Sequence, residues 1–267
     1  MLGAQVHHVL HMARPQWLHA AALAVRQALG RAAPDNVRAL ELYGAMAASY
    51  EVRTLGGDQG RRELVARLAP RPGEVILDVG CGTGRNFEQI LRRIGPGGRL
   101  IGIELSPEML AQARALVRRR GWTNVQLVRV SAETAAISPP ADAAILCAVH
   151  DVMRSPAALA NVLGSVRDGG RIVAGGPKWV PWRQSGALSL NLSTWKLNRG
   201  CVTTFEGFRR PWSRLAALVP DLHVDERYLG CGYIASGTRP SGATSTAVRA
   251  SRAAPDRRRG SILTRRG

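Results

Sequence analysis

Three features of the chain predict an α/β fold with a mainly parallel sheet and helices on both faces. Between about residues 74 and 176, short apolar runs alternate with amphipathic stretches at strand–helix–strand spacing. A glycine-rich loop follows the first apolar run and leads straight into a helical pattern. Two further helices open on the same device, a Ser-Pro pair with serine as N-cap and proline at the first helical position.

The elements follow in order. Residues 1–36, rich in Ala and His, read as a helical N-terminal extension. Residues 37–70 read as one or two more helices broken near Gly56-Gly57, with Leu64, Val65 and Leu68 on one face. "EVILDVG" is a strand, followed by a helix over roughly 84–94, and "RLIGIEL" is the second strand. The helix opening at Ser106-Pro107-Glu108 ends near Gly121. "NVQLVRV" and "ADAAILCAV" are the third and fourth strands. The helix opening at Ser155-Pro156 is expected to run to Asp168-Gly169-Gly170, before "RIVAGG" as the fifth strand. Residues 177–207 break the rhythm: Trp179, Trp182 and Trp195 lie there, with Trp212 close behind. "PWSRLAALVP" is a short helix, and "HVDERYL" with "GYIASGT" is a closing strand pair. Residues 238–267 are a disordered, Arg-rich basic tail by composition.

Composition narrows the function classes. Hydrophobic residues make up 45% of 267, enough for a sizeable core. No apolar run approaches the roughly 18 residues of a membrane span, and no secretory signal is visible. Cys81, Cys147, Cys201 and Cys231 are far apart with no CxxC pair, which argues against zinc and against a disulfide scaffold and fits a reducing cytoplasm. His7, His8, His11 and His19 read as a polar helix face rather than a metal site, since no acid or cysteine accompanies them. Net charge is +18, of which the eight arginines and one aspartate of 238–267 supply +7 and the rest of the chain +11, spread over helices. A solvated surface accounts for this, with peripheral contact to an anionic membrane, at the inner face, as the specific alternative. A nucleic-acid partner is not expected.

The chemistry is carried by "VILDVGCGTGRNF". A buried strand ends at Asp78, then Gly80, Gly82 and Gly84 alternate before a helix. Glycines are required where a ligand lies against a sharply turning backbone. The spacing is GxGxG, and a carboxylate at Asp78 would oppose a pyrophosphate while attracting a cationic nucleoside. Glu104, ending the second strand 20 residues after Gly84, can accept from both hydroxyls of a ribose.

With "DVGCGTG", "GIELSPEML", "NVQLVRVSAE" and "ADAAILCAVHDV" in this order, the chain resembles the class I S-adenosylmethionine-dependent methyltransferases. It looks most like the branch holding quinone C-methyltransferases and small-molecule or lipid-headgroup methyltransferases. The resemblance covers roughly 40–176 and continues more faintly to 237. It implies a Rossmann-like seven-stranded mixed sheet with the last strand antiparallel, a methyltransferase domain over 37–237, and S-adenosyl-L-methionine as cofactor. By resemblance Asp78, Gly80 and Gly82 line the methionine part, Gly84 belongs to the same cofactor-binding loop, Glu104 holds the ribose, and Leu105 and Met109 flank the adenine. Ser131, Ala132 and Glu133 stand at the adenine edge, where the family often has an aspartate.

His150 and Asp151, directly after the fourth strand, are the expected general-base residues, with pocket shaping or capping of the next helix as the plain alternative for His150. Tyr43 and Tyr50 share a helical face and are expected over the cofactor or in helix packing. Residues 177–207 are expected to cover the substrate, with Lys178, Trp179 and Trp182 touching it. The acceptor is a small molecule, a quinone or phenol, or a lipid head group. The competing classes are an RNA or protein methyltransferase, and a non-catalytic S-adenosylmethionine-binding protein. No RNA-binding module and no Asn-Pro-Pro-Tyr-like tetrad supports the first of these.

Overall fold

The structure is a computed structural model and describes residues 36–47, 50 and 57–241. The expected extension over 1–35, its four histidines and the tail beyond 241 lie outside the described residues. Seven strands form one sheet in the order β3-β2-β1-β4-β5-β7-β6. They are β1 (Val75–Val79), β2 (Arg99–Glu104), β3 (Val125–Arg129), β4 (Ala141–Cys147), β5 (Val166–Pro177), β6 (His223–Arg227) and β7 (Gly232–Thr238). The first five pair in parallel, and β7 runs antiparallel to both β5 and β6. This is the Rossmann-like mixed sheet expected from the sequence.

Pleat alternation divides the core. Leu77 and Val79 of β1 join Ile101, Ile103 and Leu146 on one face. Ile76 joins Leu100, Ile145 and Val173 on the other. The second face is covered by α2 (Asp58–Leu68), through Leu64, Val65 and Leu68, and by α3 (Phe87–Ile94), through Phe87, Ile90 and Ile94. Because both faces are covered, the central strands carry apolar residues almost throughout.

Helix α4 (Pro107–Arg120) is bounded by the local signals in its sequence. The Ser106 hydroxyl accepts from the Met109 N–H at 3.3 Å, and Gly121 closes the helix at φ 66°. Before it in the chain, α1 (Asn36–Met46) lies near α4, where Gln112 donates to the Ala47 carbonyl at 2.6 Å. Between β4 and β5 stand the short α5 (His150–Arg154), which the sequence pattern did not reveal, and α6 (Pro156–Gly164). The Ser155 hydroxyl caps α6 by accepting from Ala158 N–H at 3.1 Å.

Two boundaries differ from expectation. Helix α6 stops at Gly164 rather than near 168, because Val166 already pairs with Ala141 and the Ala141 N–H donates to the Ser165 carbonyl at 2.8 Å. At the far end, Thr238 closes β7 and Arg239 is buried, its backbone N–H bonded to the Gly170 carbonyl. The basic segment therefore joins the sheet for its first residues. Helices α7 (Ala187–Asn198) and α8 (Ser213–Ala216) complete the chain order before β6. Among the described residues no helix is long and apolar enough to cross a membrane.

Candidate functional site

Strand β1 pairs with β2 on one side and β4 on the other, so the chain direction of crossover reverses there. In an open parallel sheet such a reversal leaves a crevice at the carboxyl ends of the strands. The cavity lies there. Gly80 and Gly82 come from the loop after β1, Glu104, Leu105, Ser106 and Met109 from the end of β2 and the start of α4, Ser131, Ala132 and Glu133 from beyond β3, Cys147 from the end of β4, and Val149 and Asp151 from beyond it.

Glycine is obligatory in the first wall. Gly80 stands at φ 62°, and a Cβ on it would meet Val149 Cγ1 at 2.6 Å. Gly82 stands at φ 58°, and its nearest neighbour for a Cβ is the Tyr50 ring at 4.0 Å, so a side chain there would stand in the cavity. Gly84 does not line the cavity. A Cβ on it would sit 2.6 Å from the Phe87 ring at φ 90°, which makes it a folding glycine of the α3 entry. Gly84→Ala is expected to lower unfolding free energy by about 2–3 kcal/mol in urea denaturation, through overpacking plus strain. Its cofactor affinity is expected to stay close to that of the parent.

Glu104 is held in place by backbone donors. Its carboxylate accepts from Gly82 N–H at 3.0 Å and from Ser106 N–H at 2.8 Å. Burial raises its pKa, and those N–H groups act against the rise. Asp78 is placed differently from expectation. It shares the Ile76 face of β1, is fully buried and does not line the cavity. Asn86 Nδ2 donates to both its oxygens at 3.2 and 3.1 Å. Burial lifts its pKa to about 7, against the pull of the Asn86 amide.

Ser131, Ala132 and Glu133 all line the cavity. The Glu133 carboxylate accepts from the Ser155 hydroxyl at 2.6 Å, which ties the β3 loop to the start of α6. Tyr43 and Tyr50 line the same space. The Tyr43 hydroxyl donates to the Cys201 carbonyl at 2.7 Å, and burial raises the pKa of both phenols above the ordinary tyrosine value, so both stay protonated. Asp151 lines the cavity and accepts from the Thr203 hydroxyl at 2.6 Å.

Four expected side chains stand elsewhere. His150 turns away from the cavity, its Nε2 3.0 Å from the Glu206 carbonyl and its ring edge-on to Phe208. Burial depresses its pKa to about 4, so it is neutral and structurally engaged rather than poised as a base. Lys178 continues β5, whose Pro177 pairs with Gly232, and this directs its side chain into the β6–β7 turn. There its buried Nζ donates to the Gly230 carbonyl at 3.1 Å and meets Glu226 at 3.2 Å. Trp179 stacks on Phe205 at 5.1 Å and packs on Phe208. Trp182 is exposed.

Other lining residues were missed. Asn36, Ala39 and Leu40 join Tyr43 on the cavity wall. Their spacing is i, i+3, i+4, i+7, a helical stripe visible in the sequence but cut by a boundary drawn at 36. Cys147 also lines the cavity, with its thiol 3.8 Å from Arg61 and its pKa raised by burial.

Residues 76–170 match the methyltransferase domain family. Aklanonic acid methyltransferase DauC of Streptomyces sp. strain C5 is 32% identical over 119 residues, 43% of this chain and 54% of that protein. Nocamycin O-methyltransferase of Saccharothrix syringae is 31% identical over 137 residues, 48% of this chain and 46% of that protein. The chain thus spans about half the length of these relatives. An O-methyltransferase family protein from Burkholderia thailandensis shares the fold at TM-score 0.56 and 21% identity, over 85% of this chain and 70% of that one. The glycine floor, the acid ending β2 and the apolar slot of Ile103, Leu105, Met109 and Val130 fit an adenosyl group with a cationic tail. Over residues 76–170 the chain is therefore similar to methyltransferase domains, and its cavity has the lining that an S-adenosylmethionine site needs.

Proposed function

We propose that the protein methylates a small molecule whose acceptor end is neutral or positively charged. One observation supports this above others. Three carboxylates, Glu104, Glu133 and Asp151, line the cavity, and no Lys or Arg is among the described residues that do. An anionic acceptor would enter against like charge in a partly desolvated space. A phenol, an alcohol or an amine would not.

The bound cofactor supplies a sulfonium-activated methyl group. Glu104 holds the ribose hydroxyls, while Leu105, Met109 and Ala132 confine the adenine. Ser131 or Glu133 takes the adenine amino group, replacing the aspartate common in the family. In-line displacement asks chiefly for positioning and exclusion of water. Tyr43, held by the Cys201 carbonyl, and Tyr50 close the cavity from the α1 side. Their ring faces and Asp151 suit an ammonium or an aromatic acceptor. Asp151 accepts the acceptor's proton, or holds its positive charge, on an oxygen oriented by Thr203.

Methyl transfer from labelled S-adenosylmethionine to phenols, amines and carboxylic acids tests this reading. Turnover confined to neutral or cationic acceptors is expected, and a preferred carboxylic acid would overturn it. Asp151→Asn is expected to lower kcat by about 100-fold, within the usual range for general acid–base catalysis. Its S-adenosylmethionine affinity should stay within about twofold, since the loss belongs to the acceptor end of the cavity. Full turnover in that variant would remove Asp151 from the chemistry.

A further inference from the structure

Helix α7 is inside out. Its buried positions are Ala187, Asn191 and Thr194, at i, i+4, i+7, small or polar throughout. Asn191 fixes that face, accepting from Val180 N–H at 2.8 Å and donating to the Val180 carbonyl at 3.0 Å. An adjoining stripe presents Leu188 at 70%, Leu192 at 61% and Trp195 at 41% exposure, at i, i+4 and i+7, and Leu197 and Trp182 of the same segment are exposed as well, each at 72%. A water-facing helix ordinarily shows the reverse arrangement. A cluster of exposed leucines and tryptophans of this kind marks a surface that meets something apolar.

We infer that this face docks on an anionic lipid bilayer. Its charge selects the partner. From Lys178 to Phe205 the chain has no acidic residue, while Arg183, Lys196 and Arg199 of the same segment are exposed. Arg199 lies over the Trp195 ring at 5.0 Å, a cation held where a lipid phosphate would meet it. Tryptophan with leucine below and lysine or arginine at the rim is the composition of interfacial helices. A second copy of the chain would bring this cationic rim against its own image in a protein of net charge +18. The segment after α7 reaches the cavity through the Cys201 carbonyl and Thr203, so a docked α7 sets the cavity next to the lipid head groups.

The test uses the full chain without cofactor, so it stands apart from the methyl-transfer reading. The protein is sedimented with vesicles of phosphatidylglycerol and phosphatidylcholine, or of phosphatidylcholine alone. Binding to the mixed vesicles is expected, and Leu188→Ser/Leu192→Ser/Trp195→Ser is expected to bind at least tenfold more weakly with an unchanged melting temperature. Brominated lipid should quench tryptophan emission of the parent and should quench Trp182→Phe/Trp195→Phe far less, a readout that survives if the triple variant misfolds. Equal vesicle binding of parent and triple variant would assign the attraction to the arginine-rich segment instead and overturn the inference. So would equal affinity for the two vesicle types, no quenching, or a parent dimer that the triple variant dissociates.

Discussion

Replacing Glu104 by alanine is expected to weaken S-adenosylmethionine binding by about 100-fold or more, because it removes two charge-assisted hydrogen bonds of about 1.5–3 kcal/mol each. The ground for choosing this residue is its geometry. Its two oxygens are held from inside the protein, by Gly82 and Ser106 N–H groups, so the carboxylate is oriented before any ligand arrives. Removing it costs more than the ribose contacts. The Gly82 N–H loses its acceptor in the loop that a ligand must lie against. Glu104→Gln keeps one acceptor oxygen but sets an amide N–H₂ near backbone donors, and a loss of about tenfold is expected there. Calorimetric titration with S-adenosylmethionine and its demethylated product checks both variants, with circular dichroism as the control for folding. Binding of the alanine variant within about threefold of the parent would remove Glu104 from the cofactor site.

The parts of this molecule that were legible in its sequence are those decided over short distances. Ser106 and Ser155 announce their helices because a cap needs only the next three residues. The glycine loop is equally local, and its place at the β1–β4 crevice follows from the order of the sheet. His150 and Lys178 show where local reasoning stops. Both follow strands and point by sequence toward the site, but Glu206 and Phe208 draw His150 away, and the β6–β7 turn, more than 45 residues on, takes Lys178. Val166 is misjudged for the same reason, since its strand state is set by pairing with Ala141. The exposed leucines of α7 have helical spacing, but spacing alone cannot say which stripe faces inward; Asn191 decides it by bonding Val180.

Asp78→Asn is expected to change how both stability and cofactor affinity depend on pH. With its pKa lifted from 3.8 to about 7 by burial, Asp78 in the native state keeps a proton that the unfolded chain releases near pH 4. The unfolded state therefore binds fewer protons between about pH 4 and 7. The contribution of this residue to stability falls as pH rises through that window and is level above it. Three pH units correspond to a fall of about 4 kcal/mol as an upper figure. Asparagine cannot ionise, and its amide can donate to Asn86 Oδ1, a buried acceptor with no hydrogen-bond partner among the described residues. The stability of the variant relative to the parent should rise from pH 4 to pH 8, measured by urea denaturation at each pH. That difference isolates Asp78 from the other charges of a strongly basic chain. Cofactor binding should move the opposite way. A cation held at Gly80 and Gly82 lies close to β1 and favours ionised Asp78, so parent affinity should rise through pH 7 more steeply than that of the variant. The amino group of the cofactor titrates identically in both titrations and cancels in the comparison. Parallel stability profiles would mean that Asp78 is already ionised in the native state. Parallel binding profiles alone would mean that its charge does not reach the ligand and that the acid after β1 serves the fold through Asn86.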